Sequence, residues 1–161
     1  MHDMLVKLYG LPALDEALEE SARRGIIVRR ALCPEKPLVC AWAQAHFPVA
    51  AAEVEAAFCR APITCFVALR EQRMVGFACH DVTCRNFFGP EAVLAEERGR
   101  GTGRTLLLAA LHDQKARGYA YSIIGGVGPA EFYERTVGAT SIAGSTPGIY
   151  ASMMPLKSGD N

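Results

Sequence analysis

The sequence has no surplus of charge of either sign, no metal-ligand spacing and no long apolar run, and each lack removes a class of function. Seventeen Lys and Arg balance seventeen Asp and Glu. No global field draws a polyanion, and nucleic acid is not expected as a partner. The six cysteines, Cys33, Cys40, Cys59, Cys65, Cys79 and Cys84, never form a C-x-x-C pair. No His stands at ligand spacing from another candidate, so no metal site is expected. Several cysteines sit in apolar runs such as "ITCFVAL" and "VGFACHD", where a free thiol behaves as a small hydrophobe. A reduced, cytoplasmic chain is the expectation. The opening "MHDMLVKLYG" carries neither the apolar core of a signal peptide nor the ~20-residue apolar length of a membrane span. No glycine is followed by Lys and then Ser or Thr, which excludes a P-loop.

The 161 residues suit a single domain spanning 1–161. Met4 to Tyr9 alternates apolar and polar positions and stops at Gly10 and Pro12, the pattern of a strand. Ala13 to Arg24 has helical spacing, acids early, arginines late and Gly25 as its stop. "IIVRRAL" reads as a short extended piece. From Pro34 to Pro62 two alanine-rich stretches follow, and a helix is expected only for the first, "LVCAWAQAHF". Ile63–Leu69 and Met74–Thr83 flank the polar turn "REQR" as a β-hairpin. Phe87 to Ala95 is a further strand, bent or bulged at Gly89 and Pro90. A helix after "RGRGTG", a buried strand in "YAYSIIGGV", a short helix opening at Pro129 and stopped by Gly138, and a last strand near Ile149–Met153 complete the order. Strands and helices interleave without a regular β-α-β repeat, which predicts an α+β fold with a mixed sheet of about six to seven strands covered by helices.

The densest chemical signal is Arg98–Arg104, "RGRGTGR", three glycines and three arginines in seven positions ahead of an apolar helix. The first N–H groups of a helix lack internal partners and attract anions. Gly99, Gly101 and Gly103 let a bulky group approach the backbone, while Arg98, Arg100 and Arg104 supply charge. The dinucleotide fingerprint G-x-G-x-x-G fails, because its third glycine falls on Arg104 or Leu106. The ligand implied is a phosphate or pyrophosphate.

"RGRGTG" resembles the R/Q-x-x-G-x-G signature of the GNAT superfamily of acetyl-CoA-dependent N-acetyltransferases. The likeness extends in order through "CFVALREQRMVGFACHD", "EAVLA", "YSIIGGV" and "EFYERTVGA". "FFGP", "IIGGVGPAEFYE" and "GSTPGIY" are further similar to a bacterial subgroup. The resemblance implies a GNAT fold in which the strand before the signature splays from the strand after it, the family's strands 4 and 5, to form the acyl-CoA cleft. It implies acetyl-CoA as cosubstrate and no metal. Glu91, Ala92 and Val93 match the strand that holds pantetheine, with the amide of Glu91 or its neighbour at the thioester carbonyl. Arg98, Gly99, Arg100, Gly101, Thr102, Gly103 and Arg104 match the pyrophosphate loop. Tyr133 matches the tyrosine that protonates the leaving thiolate.

Two departures stand out: Gly126 replaces the family's Asn, and Pro129 replaces an Ala. No residue is uniquely marked as the general base. His80 and Asp81 are the candidates by type, because an ordinary His pKa suits a base at neutral pH, with Glu91, Glu96 and Glu97 as alternatives. Tyr150 is placed toward the acceptor by position alone. The function implied is direct transfer of an acetyl group to a primary amine, expected to be a small molecule because Cys33 to Pro62 carries few polar groups. The alternative is a GNAT-shaped protein that binds acyl-CoA without catalysis. Pairing into a homodimer is an expectation from the family.

Overall fold

The computed structural model describes residues 2–154, and the ends of the expected domain, residue 1 and residues 155–161, lie outside them. The elements are β1 (Met4–Lys7), α1 (Leu14–Arg23), β2 (Ile26–Arg30), α2 (Lys36–His46), α3 (Ala51–Ala57), β3 (Cys65–Arg70), β4 (Arg73–His80), β5 (Phe87–Val93), α4 (Thr102–Ala116), β6 (Tyr121–Ile124), α5 (Ala130–Val137) and β7 (Thr140–Ser141). The strands form one mixed seven-stranded sheet in the order β2-β3-β4-β5-β6-β1-β7. Every pairing is antiparallel except β5 with β6.

Periodicity explains the layering. On one face of the sheet lies α4, whose Leu106, Leu107, Leu108, Ala109, Ala110 and Leu111 are all buried, as befits a helix covered on every side. α1 packs outside it through Ala17 and Ser21, and the Ser21 hydroxyl is hydrogen-bonded to that of Thr105 at 2.7 Å. The opposite face is covered by α2 and α3, whose Val39, Ala43, Val54 and Ala57 meet Val67, Phe77 and Cys79. Among the described residues no helix is long and apolar enough to cross a membrane.

The hairpin β3–β4 turns through Glu71 and Gln72 at φ 47° and 63°, both left-handed, which matches the twist of the flanking strands without an Asn-Gly pair. "AAAEVEAAF", not expected to be helical, forms α3, because alanine and glutamate favour helix and Val54 and Ala57 have a core to enter. The strand expected at Ile149–Met153 is absent. Pro147 and Gly148, the latter at φ 58°, turn that segment into a short 3-10 helix at Gly148–Tyr150, and the two-residue β7 borders the sheet instead.

The pairing of β5 with β6 positions the site. Only Phe87 with Ile123 and Phe88 with Ile124 are in register, after which the strands separate. These are the family's fourth and fifth strands in the resemblance above, and they part as it implies. Gly76, on β4, lets α4 close on this region: a Cβ there would lie 2.8 Å from the Ala92 carbonyl oxygen and 3.2 Å from Leu106. Gly76→Ala is therefore expected to cost about 1–3 kcal/mol by overpacking. Gly10→Ala, at a position with open space around it, provides the comparison. Urea denaturation of the two variants checks this.

Candidate functional site

Gly101 stands at the N-cap position just before α4, holds φ 84° and offers no side chain as a cap. The first helical bond runs from the Thr105 N–H to the Gly101 carbonyl at 3.1 Å, so the amides of Thr102, Gly103 and Arg104 precede the ladder. No acidic residue stands in that first turn. A cavity of about 680 Å³ opens in front of it, lined by Glu91, Ala92, Val93, Arg98, Gly99, Gly101, Gly103, Arg104, Phe132 and Tyr133, together with Phe47 and Pro129. Free amides, two guanidinium groups and a helix N-terminus form a cradle for a phosphate group.

Main-chain direction along β5 follows from two bonds. The Leu94 N–H donates to the Val75 carbonyl at 2.9 Å, toward β4. Strand alternation then turns the polar groups of Val93 and Glu91 the other way, into the gap beside β6. In agreement, the Val93 carbonyl accepts Arg98 Nε at 3.1 Å on that side.

A second cavity, of about 310 Å³, adjoins the first and shares Glu91, Pro129 and Tyr133 with it. Its other walls include Glu53, Thr83, Phe87, Phe88, Ile124, Val127 and Tyr150. Glu91 and Tyr133 thus stand where the two spaces meet. The Glu91 carboxyl lies beside the Tyr133 hydroxyl. Its Oε1 is buried without a hydrogen-bond partner, 3.3 Å from where a Cβ on Gly103 would sit. Burial pushes the Glu91 carboxyl up to about 8, although the Tyr133 hydroxyl partly opposes the shift. Burial, followed by the charge and hydrogen bond of Glu91, holds the Tyr133 phenol above its ordinary value. Phe88 and Phe132 pack edge-on against the tyrosine at 6.3 and 5.0 Å between ring centres.

The remaining sequence candidates fall elsewhere. His80 and Asp81 line neither cavity. His80 is completely buried, with Nδ1 3.0 Å from Asp81 and Nε2 2.8 Å from Asp113. Asp113 also accepts bonds from Arg30 at 2.5 Å and Arg117 at 2.9 Å, and the Asp81 Oδ1 accepts the Asn86 N–H at 2.6 Å. Both ring nitrogens are occupied inside a network that ties β4 to α4, a structural arrangement with no access for a substrate. Glu97, an alternative base, is held by Arg70 through bonds of 2.7 and 2.9 Å.

Arg100 turns to a neighbouring recess with Arg24 and Arg70, and Thr102 is buried with its hydroxyl unpartnered; neither side chain lines the cradle. Gly126, at φ 57°, donates its N–H to Asp3 Oδ1 at 2.9 Å, and Pro129 directly precedes α5. Both departures from the family pattern therefore have local reasons. Tyr150 lines the second cavity. Glu53 and Thr83 were not singled out as site residues. They meet only because α3 folds over the end of β4, where the Thr83 hydroxyl donates to Glu53. The helical propensity of "AAAEVEAAF" was the one available hint. Among the described residues no three His, Cys, Asp or Glu side chains gather as a metal group.

No protein-family model matches the sequence, and no curated protein does. Solved structures do match in fold. A GCN5-related glucosamine N-acetyltransferase region within a fungal multi-domain GH3 β-N-acetylglucosaminidase is 19% identical with a TM-score of 0.72, over 88% of this chain and 19% of that one. A GCN5-related N-acetyltransferase from Sphaerobacter thermophilus is 18% identical with a TM-score of 0.63, over 88% of this chain and 48% of that one. An aminoglycoside acetyltransferase from an uncultured soil metagenomic sample, in complex with trehalose, is 16% identical with a TM-score of 0.52, over 70% and 88%. The chain spans about a fifth of the first protein and about half of the second.

The His80 network makes its own prediction. Burial raises the Asp113 carboxyl, but bonds from His80, Arg30 and Arg117 outweigh it and hold the group well below the usual carboxylate range. A depressed native pKa stabilises the fold above the unfolded value of about 3.9, and that stability is lost as pH falls below it. Asp113→Asn is expected to lose about 3 kcal/mol near pH 7 and to show a flatter decline of stability below pH ~4. Denaturant titrations from pH 3 to 8 check both.

Proposed function

We propose that this chain, which has the fold of the GCN5-related N-acetyltransferases, transfers an acetyl group from acetyl-CoA to a primary amine of a small molecule, with both substrates bound together. The observation that carries this reading is the placement of Glu91 and Tyr133 at the junction of two cavities, one with a phosphate cradle and one without. The cradle amides from Thr102 to Arg104, with Arg98 and Arg104, suit the pyrophosphate of coenzyme A. The open side of β5 suits its pantetheine arm, which can pair with the backbone groups of Glu91 and with the Val93 N–H as an added strand does. The thioester supplies an activated acyl carbon.

The residues divide the chemistry. The Glu91 amide faces the gap and stabilises the oxyanion as the amine nitrogen bonds to the acyl carbon. The Glu91 carboxylate takes the proton that the attacking nitrogen must lose. Tyr133 gives its hydroxyl proton to sulfur as the carbon–sulfur bond breaks, and regains one from Glu91. A phenol held above its ordinary pKa is a poor acid alone, whereas a carboxyl at about 8 is matched to a thiol near ~8.5. The pair therefore carries one proton from nitrogen to sulfur and ends as it began.

Acetyl-CoA at ~100 times its dissociation constant is expected to stabilise the protein by about 2.7 kcal/mol and to raise its melting temperature by about 5–10 °C. No shift removes the reading. Release of free thiol with a panel of small amines tests transfer itself. Tyr133→Phe is expected to lower kcat about 10²-fold while leaving acetyl-CoA affinity within about twofold.

The pH dependence follows from Glu91. Because its carboxylate is the active form, kcat/KM measured with an amine of pKa well below 7 rises with pH and levels off above about 8. Glu91→Gln abolishes that limb. A carboxyl raised in the folded state costs stability as pH rises from the unfolded value of about 4.3 through about 8. The Gln variant should accordingly gain melting temperature relative to the parent at pH 9, and that gain should vanish near pH 4.

A further inference from the structure

The second cavity has a chemical bias beyond its role as an acceptor space. Its polar side chains are Glu53, Thr83, Glu91, Tyr133 and Tyr150, with no Lys, Arg or His among its lining residues. Among the described residues no cationic side chain lies within 4.0 Å of the Glu53 carboxylate. Its bond is the one accepted from Thr83. A third carboxylate, Asp3, stands under the segment that carries Tyr150. It lies 3.5 Å from where a Cβ on Gly148 would sit, and both Asp3 and Glu53 act on the Tyr150 phenol. Between the acids the walls are apolar, formed by Phe87, Phe88, Ile124 and Val127.

This is more than a group of surface acids. The Glu91 carboxyl, one oxygen of which is buried and unpartnered on the Gly103 side, stands at one end of a space of about 310 Å³. A space that is acidic at two places, apolar between them and free of bases selects a short chain with a nitrogen at each end. It selects against a carboxylate, which would find no cation and the like charge of Glu53.

Resting on the transferase reading above, we propose that the acceptor is a compact aliphatic diamine. Its distal ammonium pairs with Glu53 and its reacting nitrogen lies between Glu91 and Tyr133. The methylene chain packs against Phe87, Phe88, Ile124 and Val127.

A length-matched set of probes tests this: 1,4-diaminobutane, 1-aminobutane and 4-aminobutanoate, each measured by calorimetric binding and by thiol release from acetyl-CoA. The diamine is expected to bind about tenfold more tightly than the monoamine, the scale of one ion pair partly removed from water, and the amino acid more weakly than either. Glu53→Gln should lower diamine affinity about tenfold and close most of the gap to 1-aminobutane. An acetyl-CoA melting shift equal to that of the parent verifies that this variant is folded. Equal binding of all three probes, or an unchanged diamine affinity in folded Glu53→Gln, overturns the proposal.

The two readings fail separately. Acetylation of monoamines with no preference for the diamine sinks the diamine proposal and leaves the transferase standing. Tight, Glu53-dependent diamine binding with no thiol released from any amine preserves the ligand site and removes the transfer chemistry.

Discussion

The parting of β5 from β6 after two residue pairs is the constraint on which the site depends. A continuous sheet satisfies its own backbone, but here the gap leaves the Glu91 backbone groups and the Val93 N–H without a strand partner on one side, while the Val93 carbonyl is taken by Arg98. Main-chain groups left open in this way take their partners from water or from an extended ligand. The surrounding structure keeps the strands apart. Gly76 allows α4 to close against β5 from one face, and the start of α4 fills the mouth of the opening with unbonded amides rather than with a cap. Below the gap, Asn86 and Gln114 fasten the strands: the Asn86 carbonyl accepts the Ile123 N–H at 2.9 Å, and Gln114 Nε2 donates to the Phe87 carbonyl at 3.3 Å. The cleft is a held feature of the sheet, stitched at its base and wedged at its rim.

Electrostatics then distinguish the two ends of that opening. At the α4 end, Arg98 and Arg104 add to the positive helix terminus. At the Tyr150 end the lining charges are acidic. Glu91 lies between them, and it is the one lining carboxyl whose neutral form is strongly favoured by burial. A group poised in this way can change protonation state at little cost near neutral pH, which is the property acid–base chemistry requires. Asp113 is the counterexample within the same molecule. It too is largely buried, but three donors fix its charge, and it serves the packing of β4 against α4.

Much of this was legible in the sequence where the cause is local. "RGRGTGR" ahead of an apolar run determines the free helix start, and the alternation in "CFVAL" and "MVGFACH" determines the hairpin. Tyr133 was reachable through its segment. The losses come from partners far apart in the chain. His80 has the right chemistry for a base, and nothing beside it in sequence reveals that Asp113, 33 residues later, occupies one of its nitrogens. Glu53 was hidden because α3 owes its helix as much to the core it enters as to its own propensity. The strand expected at Ile149–Met153 failed because Pro147 and Gly148 outweigh the β-forming side chains after them. Chemistry could be assigned from residue type, but accessibility could not.

The place of β1 in the sheet has a consequence for biosynthesis. This strand is translated before the other six of its sheet, yet it lies between β6 and β7, and the Asp3 carboxylate and amide are claimed by Gly126 and Ser145. At roughly 5–20 residues per second, the nascent strand waits on the order of ten seconds for its neighbours to be translated. Throughout that interval Met4, Val6 and Leu8, all fully enclosed in the finished molecule, are open to holdase chaperones or to a neighbouring nascent chain. Synonymous codons that slow elongation between β1 and β6 would lengthen this exposure and lower soluble yield without altering a single amino acid.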